Sequence, residues 1–301
     1  MTILNNANDG DYPILRNVLN VLILSDNCID KDKLFKACGK DIGLPDGKKL
    51  DSKHINNTFL TWNSLGLLQM DGDEISIDGR YFDEITKIGE LSEKNLRLLL
   101  IDILLSPENN QNFWPEEGGE EGGGSSDFTR GSAYLLARDI FYLNGNFDAF
   151  ADSDAKKGST RKIVQNSNRW ASLMRWMKAL DLMNSGFIAD PTVLVKSFIE
   201  NYKEVETSSL SDFVDKLGIK FPILDGGKYR QKLESELVGP SFDLLRQNKL
   251  SVSLSLSLRR LENQGYIELL NKSDAAKLSL TGKGVSERTS FSHINIKKVK
   301  K

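Results

Sequence analysis

One local pattern occurs three times along the chain and constrains its fold more than any other feature. Each copy has apolar residues three apart on a helix, then a helix-ending position, then two apolar residues that open a strand. The copies begin at Phe59, Met174 and Leu258. Because internal repetition at this scale indicates small structural units in tandem, the sequence predicts a mainly α (α+β) protein of several such units.

The first and third copies carry the signals of a complete winged helix-turn-helix. Residues 1–90 contain three helical patterns, a stop at Gly66, and a hairpin turn at Asp71-Gly72-Asp73. In residues 201–290 the strand pattern at 266–270 is followed by a polar turn at 271–274 and a returning strand through Leu278 and Leu280. The middle copy, at residues 129–190, has a shorter return strand before Pro191 and is predicted as a degenerate unit.

The connecting segments differ sharply in composition from the units. The sequence predicts that residues 91–200 form a helical middle region, which contains an acidic, Gly-rich loop at 107–128. Glycine favours a disordered backbone and the glutamates repel one another, so this loop is predicted to be flexible. It is not a phosphate-binding loop, because no Lys-Ser or Lys-Thr follows it. Residues 291–301 are predicted to form a basic tail.

The charge is distributed unevenly although the formal net charge is only −2. Residues 249–301 hold 11 basic and 4 acidic side chains, and residues 156–178 hold seven basic side chains and no acidic one. Residues 1–90 are acidic, with 10 basic and 15 acidic side chains. Because salt screens charges over roughly 8 Å, local basic patches can still bind a phosphate backbone.

The third copy offers the first candidate nucleic-acid surface. Its last helix, predicted at 251–264, would present polar and basic side chains to the major groove, and the wing would add lysines. The candidates are Ser255, Arg259, Arg260, Asn263, Lys272, Lys277 and Lys283, together with Ser251, Ser253, Ser257 and Gln264 on the same helix. The alternatives are a solvated helix face beside a disordered tail, or a strand, since serine and leucine alternate from 250 to 258.

The middle region offers a second candidate surface: Arg161, Lys162, Arg169, Arg175 and Lys178. Trp170 and Trp176 lie among these residues and could stack on bases. They also share a helical face with Leu173 and Met177, which favours a place in the core. The first copy has almost no positive charge on its third helix, so it is better suited to docking a protein than a phosphate backbone.

No catalytic, cofactor or metal motif is present. His54 and His293 have no partners at metal-ligand spacing, and Cys28 and Cys38 are too few for a disulfide framework. No apolar run approaches the roughly 18 residues of a membrane span, and no secretory signal pattern opens the sequence. We therefore expect a cytoplasmic protein that is not an enzyme and binds no cofactor or metal.

Several short motifs resemble the DpdG-type accessory proteins of bacterial DNA-modification and phage-defence islands. They are Ile3-Leu4-Asn5 with Asn8-Asp9-Gly10, residues 133–140 with Arg138 and Asp139, and Asn168-Arg169-Trp170 through Arg175-Trp176 and Leu180. The resemblance covers about residues 1–190 and carries over no catalytic residue. It implies a cytoplasmic component that works on foreign DNA beside an ATPase or helicase-like partner.

Three functions are compatible with these features. The first is a non-enzymatic DNA-binding or recruitment subunit of a multiprotein anti-phage assembly, which contacts DNA through basic winged-helix faces. The second is an adaptor whose winged helices bind only proteins. The third is a winged-helix transcription regulator, which a two-fold dimer or an effector pocket would favour.

Overall fold

The computed structural model describes residues 2–5, 11–41, 52–86, 92–115, 124–138, 162–184, 186–201, 207–237, 247–282 and 290–297. These residues are mainly helical with small antiparallel sheets, which confirms the predicted α+β class. The chain divides into two compact units rather than at the predicted boundaries of 90, 200 and 290. The first unit comprises Met1–Phe128 with Asn166–Leu180, and the second comprises Thr129–Gln165 with Asp181–Lys301.

The first unit is built mostly of helices whose apolar faces are buried. In α1, Pro13 stands in the first turn, where its missing N–H costs nothing, and Leu15, Val18 and Leu19 are fully buried. The helices are α1 (Tyr12–Leu24), α2 (Lys31–Asp41), α3 (Ser52–Ser64), α4 (Gly79–Thr86), α5 (Glu93–Leu104), a 3₁₀ turn at Glu108–Asn110, the start of α6 (Ser126–Ala137), and α7 (Ser167–Ala179).

A three-stranded antiparallel sheet completes the first unit. Its strands are β1 (Ile29–Asp30), β2 (Leu68–Asp71) and β3 (Glu74–Ile77), in the order β1-β3-β2. Gly66 ends α3 at a φ of +83° and Gly72 forms the hairpin turn at +59°, both values that glycine adopts without steric cost. The predicted order of three helices and a hairpin in residues 1–90 is therefore present.

The second unit contains the rest of α6 and the following elements of regular structure. The helices are α8 (Thr192–Asn201), α9 (Leu210–Lys220), α10 (Lys228–Glu234) and α11 (Val252–Asn263). The strands are β4 (Thr207–Ser209), β5 (Ile267–Leu270), β6 (Leu278–Ser279), β7 (Ser290–Phe291) and β8 (His293–Ile296). The side chain of Ser251 caps α11 by accepting a hydrogen bond from the Leu254 N–H, and Gly265 follows the helix at a φ of +78°.

The predicted hairpin of the second unit is wrong, and so is the predicted tail over residues 291–297; residues 298–301 lie outside the described ranges. β5 pairs with β8, not with the strand at 278–280, and the sheet order is β4-β8-β5. Thus His293–Ile296, assigned to a basic tail, is the central strand of the sheet, and Ile294 is fully buried. Leu278–Ser279 pairs instead with Ser290–Phe291.

The middle region also differs from the prediction. Residues 129–190 do not form a unit, because α7 belongs to the first unit and the short turn at 182–190 belongs to the second. A single bridge between Met183 and Ala189 closes that turn. The predicted loop at 107–128 is partly regular: it includes the 3₁₀ turn and the start of α6, and Gly124 pairs with Thr2. Residues 116–123 lie outside the described ranges.

Within the ranges that the structure describes, every helix is too short or too polar to cross a bilayer.

Candidate functional site

The serine face predicted for DNA contact is buried. On α11 and its cap, Ser251, Ser253, Ser255 and Ser257 are each at most 2% exposed, and Leu254, Leu258 and Leu261 are fully buried. Each hydroxyl is used inside the unit: Ser253 donates to the Leu136 carbonyl (2.6 Å), Ser257 donates to the Ser253 carbonyl (2.9 Å), and Ser255 accepts from the Thr281 N–H (2.9 Å). A small side chain with a locally satisfied hydroxyl can be buried, so serine in this helix does not mark a solvent face.

The two arginines of α11 are engaged by carboxylates of the same unit. Arg259 Nη1 lies 2.7 Å from Glu262 Oε2, and its guanidinium lies 4.8 Å from the ring centroid of Phe291. Arg260 pairs with Asp190. Asn263 is exposed, as predicted. These pairs neutralise most of the positive charge that the sequence assigned to this helix.

The lysines of the predicted wing lie in an exposed position. Lys272 and Lys277 are exposed in the segment between β5 and β6. Lys283 lies outside the described residues. Of the contacts predicted on α11 and its wing, those that the structure describes as exposed are Lys272, Lys277, Asn263 and Gln264.

The middle-region candidates have separate environments. Arg169 donates to Asn5 Oδ1 (2.7 Å) and pairs with Asp127 Oδ2 (3.3 Å), and Asp127 is fully buried. Its guanidinium is thus a structural ion-pair partner, which the sequence did not predict. Lys162, Arg175 and Lys178 are exposed, and Arg161 lies outside the described residues.

The two tryptophans of α7 belong to the core, which confirms the packing interpretation. Trp170 is 6% exposed and Trp176 is 4% exposed. The Trp176 ring packs edge to face against Trp62, with the centroids 5.6 Å apart.

A cavity of about 260 Å³ lies in the first unit, between the start of α1 and the second half of α7. Arg175 and Lys178 line it together with Asp11, and Arg175 Nη1 lies 3.9 Å from Asp11 Oδ2. Burial raises the pKa of Asp11, and the Arg175 charge opposes that rise. No sequence pattern predicts this cavity, because its two walls are more than 160 residues apart along the chain.

The exposed hairpin of the first unit is acidic. Glu74 pairs across the sheet with both Asp30 and Asp71, so three carboxylates stand in one row. Leu60 on α3 and Met70 on β2 are 37% and 46% exposed. Like charges placed opposite one another destabilise a sheet, so packing alone does not account for this row.

No group of three or more His, Cys, Asp or Glu side chains that could hold a metal ion occurs among the residues described by the structure.

The model of a protein family described as DpdG-like matches residues 1–275. The chain belongs to the DpdG-like family. Its membership suggests a role in DNA-modification or defence islands. The match extends past residue 190, so it includes α11 and Lys272. The resemblance in the short motifs covered only about residues 1–190. No curated protein and no solved structure matches the chain.

Two of the motifs that carry the DpdG-like resemblance meet in the structure. Asn5 of the first motif accepts the hydrogen bond from Arg169 of the third. Thr2 donates to Asp127 Oδ2 (2.8 Å), the carboxylate oxygen that also pairs with Arg169. Ile3 and Leu4 are fully buried. These DpdG-like motifs therefore share a structural role, which is to fix the segment at 2–5 within the first unit.

Proposed function

We propose that this DpdG-like protein is a non-enzymatic accessory subunit of a multiprotein defence assembly, in which winged-helix folds dock protein partners. The element order supports two winged helices. In the first unit, α1, β1, α2, α3 and the β2-β3 hairpin follow one another. The second unit has the same order in α8, β4, α9, α11, β5 and β8, with α10 inserted between α9 and α11 and with β6 and β7 inserted between β5 and β8. Both sheets place the last strand in the centre, in the orders β1-β3-β2 and β4-β8-β5.

The burial of α11 is the observation that carries the protein-docking role. A helix that reads DNA inserts its exposed face into the major groove. In α11 the positions from 251 to 258 are buried except for Leu256, and their hydroxyls are bonded within the unit. Groove insertion would require breaking these hydrogen bonds and exposing the leucines around them. This helix thus acts as a core element.

The surface of α3 and the β2-β3 hairpin is the proposed docking surface. Asp71, Asp73 and Glu74 are exposed at the hairpin turn, and Leu60 and Met70 are exposed apolar side chains of the same elements. Met70 pairs with the buried Ile75, so it lies on the other face of the sheet from Asp71 and Glu74. The negative field of the docking surface repels a phosphate backbone and attracts a basic protein surface. Methionine is enriched in protein interfaces, and polar residues form the rim around their apolar centre.

A second candidate function is DNA contact through the segment between β5 and β6. Lys272 and Lys277 are exposed there, and such a segment occupies the position of a wing. Lys283 stays a prediction for the same contact. Two or three lysines would neutralise few phosphates, so this contact would be weak and sequence-independent.

Two double charge reversals distinguish protein docking from DNA contact, and each variant serves as the control for the other. We expect Asp71→Lys with Glu74→Lys to abolish co-purification with the protein subunits encoded in the same island. We expect Lys272→Glu with Lys277→Glu to leave that complex intact. The measurements are co-expression followed by size-exclusion chromatography, and fluorescence anisotropy on labelled duplex and single-stranded DNA across a salt series.

The docking role predicts little DNA binding by the isolated chain at about 50 mM salt, with a shallow log–log salt slope. Submicromolar binding that the lysine reversals abolish would replace docking by DNA contact as the main function. A complex that survives Asp71→Lys with Glu74→Lys would exclude the proposed docking surface.

A further inference from the structure

The cavity in the first unit has the composition of a small-ligand site. Its walls are the start of α1, with Asp11, Tyr12 and Pro13, and the α7 residues Arg175 and Trp176, together with Lys178 and Ala179. Ligand pockets in proteins are mostly apolar and hold a few polar groups that orient the ligand. The volume of about 260 Å³ suits a ligand group of mononucleotide size.

The cavity carries a pair of cations on one helix face. Arg175 and Lys178 are three residues apart on α7, a spacing that places side chains side by side. Both are exposed, and both line the cavity. An arginine and a lysine so placed can share one phosphate group, since arginine donates in a planar fork and lysine acts as a compact charge.

Asp11 holds Arg175 only loosely. The 3.9 Å between Asp11 Oδ2 and Arg175 Nη1 is an ion-pair distance that is too long for a hydrogen bond. Burial raises the pKa of Asp11, so its ionised form is less favourable than that of a carboxylate in water. A bound anion can therefore compete with Asp11 for the guanidinium.

The apolar wall is fixed by packing within the first unit. The Trp176 ring packs against Trp62, and the Arg97 guanidinium lies 5.7 Å from the centroid of the Tyr12 ring. Pro13 has a fixed φ and adds a rigid apolar surface next to Tyr12. A wall fixed by its own packing loses little entropy when a flat group binds to it.

We infer that this cavity binds a phosphate monoester with a planar base, of mononucleotide size. The phosphate contacts Arg175 and Lys178, and the base packs on Tyr12 and Pro13. The ligand is either a free nucleotide or the 5′-phosphorylated end of a nucleic-acid strand. This site shares no residue with the proposed docking surface and does not depend on the docking function.

Isothermal titration calorimetry on the full chain tests this site, with deoxyadenosine monophosphate as the probe. We expect saturable binding that Arg175→Gln weakens about tenfold or more, because a charged hydrogen-bond donor is lost. Lys178→Gln should weaken it severalfold. Lys33→Gln, an exposed lysine on α2, should leave it unchanged. Ala179→Phe, which fills the cavity and keeps both cations, should abolish binding.

Three outcomes would overturn the inference: equal binding by inorganic phosphate alone, equal binding by deoxyadenosine, or undiminished binding to a folded Ala179→Phe variant. If Arg175→Gln does not fold, Ala179→Phe still decides the question. A 5′-phosphorylated tetranucleotide that binds more tightly than its unphosphorylated form and than the mononucleotide would support the site with a strand end as its ligand. Preference for the mononucleotide would support it with a free nucleotide.

Discussion

We expect Ser255→Arg to unfold the second unit or to leave it with only a small part of its stability. Ser255 is 1% exposed and its hydroxyl accepts the hydrogen bond of the Thr281 N–H. An arginine there would be a buried charge without a carboxylate partner, which costs about 3–5 kcal/mol. Since whole domains are stable by roughly 5–15 kcal/mol, the loss is a large share of the total. Urea unfolding followed by circular dichroism measures it.

Asn263→Arg is the matched control, because Asn263 is exposed near the end of the same helix. Surface substitutions of this kind change stability by at most about 0.5 kcal/mol. A Ser255→Arg variant as stable as Asn263→Arg would mean that the serine face is open to solvent. If that variant also bound DNA more tightly, the helix would be a DNA-reading element and the docking proposal would fail.

The elements that the sequence predicted well are those with local causes. The stop of α3 at Gly66 and the turn at Gly72 follow from backbone angles that glycine adopts most easily, and both have positive φ values in the structure. The buried Leu15, Val18 and Leu19 of α1 follow from helical periodicity alone. For such elements, the neighbouring residues contain all the information that is needed.

Strand partners were harder to predict, because pairing in a sheet is not local. β5 has a plausible partner at Leu278, only a short turn away, yet it pairs with β8 more than twenty residues later. The apolar pattern of β8 is short, and lysines follow it, so the sequence predicts a basic tail there. Only the complete three-stranded sheet, with Ile294 buried in its central strand, shows that this segment belongs to the core.

The candidate site was mispredicted where residue type was equated with exposure. Leucines at 254, 258 and 261 mark one apolar face of α11, and the serines were assigned to the opposite, solvent face. In the structure other segments cover that second face as well, and the serine hydroxyls bond to them. Likewise, counting basic residues cannot distinguish Lys178, which is exposed, from Arg169, which pairs with a buried carboxylate.

Arg169→Ala is expected to destabilise the first unit by about 3–5 kcal/mol, because it leaves the fully buried Asp127 carboxylate without its cation. The segment at 2–5 should also loosen, since Asn5 loses its bond to the same guanidinium. Arg169 lies in the first turn of α7, where a positive charge opposes the helix dipole. Its removal would slightly favour the helix, so any loss of stability must come from the lost contacts of the Arg169 side chain, which include those with Asp127 and Asn5. Urea unfolding and hydrogen exchange at residues 2–5 measure the two effects.

Lys178→Ala, on the exposed face of the same helix, is the control and should change stability by at most about 0.5 kcal/mol. Arg169→Ala with Asp127→Ala should cost less than the sum of the two single substitutions, because the double variant leaves no unpaired buried charge. If Arg169→Ala keeps full stability and instead lowers the DNA salt slope by about one, Arg169 is a phosphate contact, as the sequence alone predicts. The geometry favours the opposite result, because a guanidinium already bonded to Asn5 and Asp127 has little freedom to reach a phosphate.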